Sequence, residues 1–202
     1  MTGIQALERK SPDKLMKPGK PTKREFEYLR HGTQTLIASF DVSSGKILQE
    51  SIGQTRTESD FLAHLQQMIK ANLQVQKWHL VMDCLNIHQS ESLVRWVASQ
   101  EGIATANLGK KGQYGILQSM ETRAEFLSNP EHQIVFHYTP KHCSWLNQIE
   151  IWFSILMRKL LKRSSFLSEG DLAAKILNFI AYYNDKMAKP FKWTYKGKAL
   201  TA

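Results

Sequence analysis

The chain lacks the features that mark membrane proteins, disulfide-rich scaffolds and thiolate metal sites. It contains two cysteines in 202 residues and no CxxC pair, so neither a disulfide framework nor a zinc site is indicated. No apolar run approaches the roughly 18 residues that span a bilayer, and the first residues do not resemble a signal peptide. Residues 109–115 are rich in glycine and lysine but lack the spacing of a phosphate-binding loop. We therefore expect a single-domain globular protein of the cytoplasm, without a membrane partner.

The chain is basic, with a formal net charge of +9, and the excess is concentrated at its two ends. Residues 1–30 carry eight Lys or Arg against four acids, and residues 156–202 carry ten against three. Residues 31–155 are close to neutral, with nine basic and eleven acidic residues. Basic ends that flank a neutral centre indicate a polyanionic partner such as nucleic acid. A basic protein that binds no polyanion is the alternative that charge alone leaves open.

The pattern of apolar residues predicts an α/β fold in which helices flank a sheet. A basic extended arm is expected over residues 1–30, where prolines interrupt the pattern. Strands are predicted as a hairpin at residues 34–40 and 46–52, and at residues 78–82, 103–108 and 134–137. Helices are predicted from residue 57 onward and at residues 90–100, 116–128, 145–163 and 169–184. Active sites of such sheets lie outside the carboxyl ends of the strands.

Two acids occupy positions that ordinary core packing does not explain. Asp83 follows directly on the apolar strand predicted at residues 78–82. Glu150 lies near the start of a predicted helix, in an apolar segment that includes Trp145 and Trp152. A carboxylate at a strand end and another on a neighbouring helix can converge on a divalent cation, which suits phosphodiester cleavage and strand transfer. A turn residue for Asp83 and a solvated helix residue for Glu150 are the ordinary alternatives.

Neighbouring polar residues add to each of these acids. Asn86 and His88 place further ligand-competent side chains within six residues of Asp83, although His88 alone would be an ordinary helix-start residue. The helix that carries Glu150 continues into a basic cluster suited to DNA phosphates, formed by Arg158, Lys159, Lys162 and Arg163. A solvated basic face is the ordinary alternative for this cluster.

Three other acids have structural explanations. Asp41 stands beside two serines and a glycine, and we expect it to form the turn of the first hairpin. Asp60 belongs to the acidic first turn of a helix that Thr57 is expected to cap. Asp13 lies in the proline-rich arm rather than at a strand end.

Two segments resemble the catalytic domain of DDE-type transposases, in the mariner-like insertion-sequence branch of the ribonuclease-H-like and integrase superfamily. Residues 83–88, in which Asp83 is followed by an Asn and a His, resemble the second-carboxylate motif of that family. Residues 138–150 are similar to its third-carboxylate motif, in which a proline precedes an Asn-x-x-Glu group that here ends at Glu150. Aromatic residues follow as in the family, and the likeness continues in residues 183–184 and 189–193, so that it covers nearly all the chain.

The resemblance implies that Asp83 and Glu150 are two members of an Asp-Asp-Glu triad that binds two Mg²⁺ or Mn²⁺ ions. Asn86, His88 and Asn147 would support them. It further implies a ribonuclease-H-like mixed sheet flanked by helices. The implied partner is double-stranded DNA, both transposon ends and target, in a prokaryotic, nucleoid-associated protein.

The chain departs from the family pattern in three ways. Cys84 stands where an Asn is usual after the second carboxylate. The 66 residues between Asp83 and Glu150 exceed the common spacing, which indicates an insertion. The family's first carboxylate ends the first strand, immediately upstream of the region that resembles Thr2 onward. We therefore expect the first strand and the specific DNA-binding domain to be missing.

The sequence is interpreted as a transposase catalytic domain over residues 1–202 that is N-terminally incomplete and inactive in isolation. The second interpretation, from a different class, is a non-catalytic DNA-binding or regulatory remnant. Such a remnant would pair with itself or with a full-length transposase. A third is an unrelated basic α/β protein.

Overall fold

The computed structural model of the protein describes residues 1–11, 14–23, 25–141 and 143–192. It confirms the predicted α/β class, with mixed strand pairing and flanking helices that are consistent with a ribonuclease-H-like fold. The described elements are β1 Ile4–Arg9, β2 Tyr28–Asp41, β3 Lys46–Gly53, α1 Glu58–Ala71, β4 Trp78–Met82, α2 Glu91–Gln100, α3 Met120–Leu127, β5 Ile134–Tyr138, α4 Ile149–Leu156 and α5 Glu169–Lys186. Among these residues, no helix has the length and apolarity that crossing a membrane requires.

The first sheet is antiparallel, with β2 between β1 and β3. The hairpin of β2 and β3 was predicted, and the structure confirms Asp41 as the residue that forms its turn. The Asp41 carboxylate accepts hydrogen bonds from the backbone N–H groups of Ser43 at 2.9 Å and Ser44 at 3.3 Å. Gly45 then takes a positive φ of 74°, which a residue with a side chain adopts at a cost. Asp41 is thus fully engaged in local structure.

The extended arm predicted over residues 1–30 is wrong at both of its ends. Ile4–Arg9 forms β1, which pairs with the beginning of β2, so that Ile4 lies opposite Gln34 and Arg9 opposite Tyr28. Ile4 and other apolar residues of β1 are buried against the sheet. The partner strand is distant in sequence, and the local pattern therefore gave no sign of the pairing. Between the two strands, residues 14–23 form a short exposed hairpin of their own.

The second sheet is a parallel pair, in which Trp78 of β4 lies opposite Ile134 of β5 and Met82 opposite Tyr138. Helices α1, α2 and α3 pack with this pair around one apolar core, which buries Phe61, Leu65, Met68, Met82, Leu93, Val94, Val97, Ala98, Leu108, Leu117, Leu127, Ile134 and Phe136. The strand predicted at residues 103–108 is wrong. A 3-10 turn at Thr105–Leu108 replaces it, because glycines at both of its ends adopt positive φ angles and stop an extended run.

The helices α4 and α5 pack on the antiparallel sheet around a separate core, which buries Ile4, Ala6, Leu36, Ile47, Trp152, Leu156, Phe166, Leu172, Ile176, Ile180 and Tyr183. The helix predicted at residues 145–163 differs from the observed one. It begins at Ile149 and widens to a π-helix over Met157–Leu161, where the N–H of Lys162 bonds the carbonyl of Met157 at 2.9 Å. The helix predicted at residues 116–128 is shorter, and Ser119 caps its start. The predicted cap Thr57 is confirmed, and Ser90 caps α2 in the same way.

Candidate functional site

A cavity of 300 Å³ lies where the two sheets meet. Its walls are the second half of β2, the exit of β4, the middle of α1 and the start of α4. Asp83 and Glu150 both line it, although 66 residues separate them in sequence. The fold therefore brings the two acids singled out in the sequence to one concave surface.

Asp83 lies one residue beyond β4, and its side chain is 39% exposed. Its Oδ1 atom lies 2.8 Å from Nδ1 of His88 and accepts a longer hydrogen bond from the N–H of Leu85 at 3.4 Å. The hydrogen bond from His88 lowers the pKa of Asp83, so this carboxyl is ionised at neutral pH. The acid is consequently both charged and accessible from the cavity.

His88 is held firmly in this contact. Its ring packs on Phe61 of α1 with the ring centroids 4.6 Å apart, and its side chain is only 16% exposed. Its backbone carbonyl accepts a hydrogen bond from the hydroxyl of Tyr138, at the end of β5, at 2.8 Å. The structure thus gives His88 the position of an orienting partner of Asp83. Asn86 is exposed at the start of the 3-10 turn that also contains His88, and its side chain has no hydrogen-bond partner among the described residues.

The residue after Asp83 also links the two strands of the parallel pair. The thiol of Cys84 donates a hydrogen bond to the carbonyl of Thr139 at 3.1 Å, and the N–H of Thr139 bonds the carbonyl of Met82 at 2.9 Å. Cys84 therefore fixes the exit of β4 against the segment that follows β5. Cys84 stands where the family it resembles has an Asn, and it still forms a hydrogen bond that joins the two strand ends.

Glu150 lies in the first turn of α4 and is exposed. The carbonyl of Asn147 accepts the N–H of Glu150 at 3.0 Å, and the Asn147 side chain accepts the N–H of Ile149 at 3.4 Å. Asn147 thus starts the helix that presents Glu150 to the cavity. In the part of the chain that the structure describes, the Glu150 carboxylate has no hydrogen-bond or ion-pair partner, so it is available to a cation.

The amino group of Met1 occupies the same region. It donates a hydrogen bond to the carbonyl of Leu36 at 2.8 Å, and the N–H of Leu36 bonds the carbonyl of Met1 at 2.9 Å. Burial and, to a smaller extent, the charge of Arg56 lower the pKa of this amino group to about 6, while the charges of Glu150 and Asp83 oppose the shift. The charges of Asp83 and Glu150 therefore both act on the amino group of Met1.

The two sheets are not hydrogen-bonded to each other across this cavity in the residues that the structure describes. Met1 pairs with Leu36 at one edge of β2. The backbone groups of every second residue of a strand point to the same side, so the N–H and C=O of Ala38 also point toward this edge. Ala38 and its neighbours Ile37 and Ser39 line the cavity, as does β4 from His79 onward. Two strand edges thus face each other across a gap.

A third acid does not join Asp83 and Glu150. No group of three metal-competent side chains occurs within residues 1–11, 14–23, 25–141 and 143–192. Asp60 lies in the predicted acidic first turn of α1 and completes a capping box, in which its carboxylate accepts the N–H of Thr57 at 2.7 Å. Asp13 lies outside the described residues.

The four basic residues predicted to bind DNA are exposed along the end of the α4 segment. A shallow groove of 680 Å³ runs along this segment from Glu150, and Arg158 and Lys162 line it. The π-helical turn at Met157–Leu161 contains Arg158 and Lys159, and such turns are frequent at functional sites. Lys159 and Arg163 do not line the groove.

Several residues of the cavity gave no signal in the sequence. Arg56, which precedes α1, lines the cavity and bears on the charge of the Met1 amino group. His64 of α1 is 1% exposed and lines the cavity wall between the two sheets. The helical spacing of its apolar neighbours predicted the helix, but a histidine on that face could not be told from an ordinary core residue.

A comparison with protein-family models matches residues 2–173 to the model described as DDE superfamily endonuclease. No curated protein and no solved structure matches the chain. The matched segment contains both cavity acids and the whole basic cluster from Arg158 to Arg163.

Proposed function

Since the chain belongs to the DDE superfamily endonucleases, we propose that it is the catalytic domain of a mariner-like insertion-sequence transposase. Its site would cut phosphodiester bonds of double-stranded DNA at transposon ends and join them to target DNA. Asp83 and Glu150 would be the acids that hold the catalytic metal ions. The observation that carries the proposal is that both acids, remote in sequence, line one cavity.

The residues present fit a divalent cation in part. The two carboxylates are hard oxygen ligands of the kind that Mg²⁺ and Mn²⁺ prefer. Within the described residues, neither forms a salt bridge with a lysine or an arginine. Endonucleases of this superfamily generally use divalent metals. A bound cation supplies Lewis-acid stabilisation of charge on the reacting phosphate and activation of a water or 3′-hydroxyl. Two acids alone provide less negative charge than two such ions require.

His88 would keep Asp83 ionised and oriented toward the cation. Its ring is fixed by Phe61 and by the Tyr138 hydroxyl on its carbonyl, so the 2.8 Å contact with Asp83 needs little further ordering. Asn147 would act through the helix start, because it sets the backbone from which Glu150 extends. These roles belong to positioning residues rather than to groups that touch the substrate.

The missing acid would come from a strand seated in the gap between β2 and β4. Met1 already pairs with Leu36 through both backbone groups, so polypeptide continuing upstream would run antiparallel to β2. It would complete one sheet and bring its own carboxylate beside Asp83 and Glu150. We therefore propose that Asp83 and Glu150 act together with a third carboxylate that the described residues do not contribute.

A second function, a non-catalytic DNA-binding or regulatory form, is favoured by one observation. The described residues hold no cluster of three metal-competent side chains, and Asp83 already has a partner in His88. A chain that binds DNA without cutting it would compete with, or pair with, a complete transposase. The two functions predict different results when a strand that carries a third acid is added upstream of Met1. The catalytic function predicts cleavage of DNA, and the non-catalytic function predicts none.

The test compares residues 1–202 with a version that carries an added N-terminal strand ending in an aspartate. Both are incubated with supercoiled plasmid and Mg²⁺ or Mn²⁺, and nicking is followed on gels. We expect no metal-dependent nicking by the short chain and clear nicking by the extended one. The matched control replaces the added aspartate with asparagine and should be inactive.

Two results would contradict this proposal. One is metal-dependent nicking by the short chain that Asp83→Ala abolishes, because another residue would then supply the third acid. The other is nicking by the extended chain that survives both Asp83→Ala and Glu150→Ala. Failure of the extended chain to nick, with correct folding shown by circular dichroism, would favour the non-catalytic function.

A further inference from the structure

The exposed hairpin at residues 14–23 carries four lysines and no acid. Lys14 and Lys23 bond each other through both backbone groups at 2.9 and 3.1 Å, and Lys17 and Lys20 do so at 3.1 and 2.8 Å. Gly19 takes a positive φ of 75° at the tip, which closes the turn after Pro18. All four residues that hold the hairpin together are therefore lysines.

This arrangement places like charges directly opposite each other, which destabilises a strand pair. The four lysines are exposed, and none of them forms an ion pair within the residues that the structure describes. Nearby, Lys10 does have an acid, since it pairs with Glu27 at 3.0 Å. The hairpin thus concentrates positive charge that an external polyanion would neutralise.

The strands that flank the hairpin are attached to the basic segment after α4, and Arg9 of β1 also donates a hydrogen bond to the carbonyl of Glu25 at 3.3 Å. The guanidinium of Arg9 donates a hydrogen bond to the carbonyl of Lys162 at 3.2 Å, and its backbone N–H bonds the Ser165 hydroxyl at 2.9 Å. The N–H of Phe166 bonds the carbonyl of Leu7 at 2.9 Å. The two basic ends of the sequence therefore meet at one place in the fold.

The groove along α4 connects this place with the cavity. It is lined by Glu150 at one end and by Arg158 and Lys162 further along. Lys162 is also the residue whose carbonyl accepts the hydrogen bond from Arg9. Arg9 thus links the groove, through Lys162, to the strands from which the lysine hairpin projects.

We propose that the hairpin of residues 14–23 and the groove lined by Arg158 and Lys162 form one surface for the phosphate backbone of duplex DNA. The hairpin would hold the DNA flanking the bond presented to Asp83 and Glu150. This inference rests on the proposed function, and it names a DNA contact that the two acids do not provide. Duplex DNA offers a negative charge about every 1.7 Å along its axis, which suits an extended row of lysines.

The test measures binding of a fluorescent duplex to residues 1–202 by anisotropy at several salt concentrations. The tip variant combines Lys17→Gln with Lys20→Gln, and the charge-matched control combines Lys70→Gln with Lys77→Gln. Lys70 ends α1 and Lys77 precedes β4, so both lie at the end of β4 opposite Asp83. Each phosphate contact contributes about 0.9 to the slope of log affinity against log salt.

We expect the tip variant to reduce this slope by about 2 and to weaken binding about tenfold or more at 0.1 M salt. The control variant should keep the parental slope. An unchanged slope in the tip variant, or an equal loss in the control, would overturn the inference. Because Leu15 and Met16 beside the lysines are 81% and 74% exposed, anionic lipid vesicles are tested in parallel. A tip variant that loses vesicle binding but keeps its DNA slope would also overturn it.

The outcome is separable from that of the proposed function. Catalysis is read from nicking by the extended chain, whereas the hairpin surface is read from the salt slope of DNA binding. Nicking by the extended chain with an unaltered slope in the tip variant would refute the hairpin surface alone. A reduced slope in the tip variant, together with no nicking by the extended chain, would support the hairpin surface and refute the catalytic proposal.

Discussion

The antiparallel half of the molecule, formed by β1 to β3 with α4 and α5, differs from the parallel half, formed by α1 to α3 with β4 and β5. Each half has its own apolar core. The antiparallel half has a central strand bonded on both sides, whereas β4 of the parallel half has a strand partner on one side only in the described chain. A two-stranded parallel sheet is unusual by itself, since parallel sheets are normally larger and covered.

The difference shows where function depends on assembly. Asp83 belongs to the parallel half and Glu150 to the antiparallel half, so neither half could hold a cation with both acids. The cavity exists only because the halves meet, and its open strand edges lie on both sides of that junction. Stability within each half and coupling between the halves can therefore be changed separately.

The largest expected effect comes from truncating a core residue in one half. Trp152 is 1% exposed in the antiparallel core, and Trp152→Ala should lower the free energy of unfolding by about 3–5 kcal/mol. Phe136→Ala should do the same in the parallel core, where Phe136 is fully buried. Hydrogen exchange should show that each variant loses protection first in its own half. Equal loss in both halves from either variant would mean that the halves form one cooperative unit.

The next effect concerns His64, which links the halves by hydrogen bonds. Its Nε2 atom lies 2.9 Å from the Ser39 hydroxyl of β2 and its Nδ1 atom 2.9 Å from the Ser51 hydroxyl of β3. Burial lowers the pKa of His64 from 6.5 to about 4. The unfolded chain therefore binds a proton between these values that the folded chain does not, and stability is lost as the pH falls from about 6.5 to 4.

The size of this loss is up to about 3 kcal/mol, from the shift in pKa. Urea unfolding at pH 7.5, 6, 5 and 4 should show it, and the pH dependence should be weaker by that amount in His64→Gln. An identical pH profile for His64→Gln and the parent would contradict the assigned pKa.

A smaller effect is expected at the outer edge of the antiparallel half. The Asn184 side chain of α5 accepts the N–H of Ile47 at 2.8 Å and donates to its carbonyl at 2.8 Å, as a neighbouring strand would. Asn184→Ala leaves both backbone groups without that partner and should cost about 1–3 kcal/mol. Asn178→Ala, at an exposed position of the same helix, should be nearly neutral in the same urea titration. Comparable losses at both positions would show that the helix, not the bond to β3, is affected.

The sequence predicted the parts of the fold that depend on local chemistry. The apolar run of β4, the turn at Asp41 and the cap Thr57 all follow from the side chains at those positions, and the structure has them there. The strand β1 was missed because its partner lies about twenty residues further on and prolines intervene. The π-turn at Met157–Leu161 was missed because its apolar residues keep ordinary helical spacing.

The candidate site was predictable as a set of residues but not as a cavity. Asp83 and Glu150 stood out from their sequence contexts, and His88 was close enough to Asp83 for a contact to be expected. The partners that fix His88, namely Phe61 and Tyr138, come from other elements and follow only from tertiary packing. The open gap between β2 and β4 likewise depends on how the two halves assemble, which no local pattern encodes.

The central claim is that Asp83 and Glu150 hold one divalent cation together across the junction of the halves. The most direct test is the binding of Mn²⁺, followed by electron paramagnetic resonance, to the parent, to Asp83→Asn, to Glu150→Gln and to the double variant. Asp185→Asn, which removes an exposed acid paired with Lys186, is the charge-matched control. We predict that each single variant loses most of the binding, that the double variant loses no more, and that the control is unchanged. Losses that simply add, or a loss with Asp83→Asn alone, would contradict a shared site.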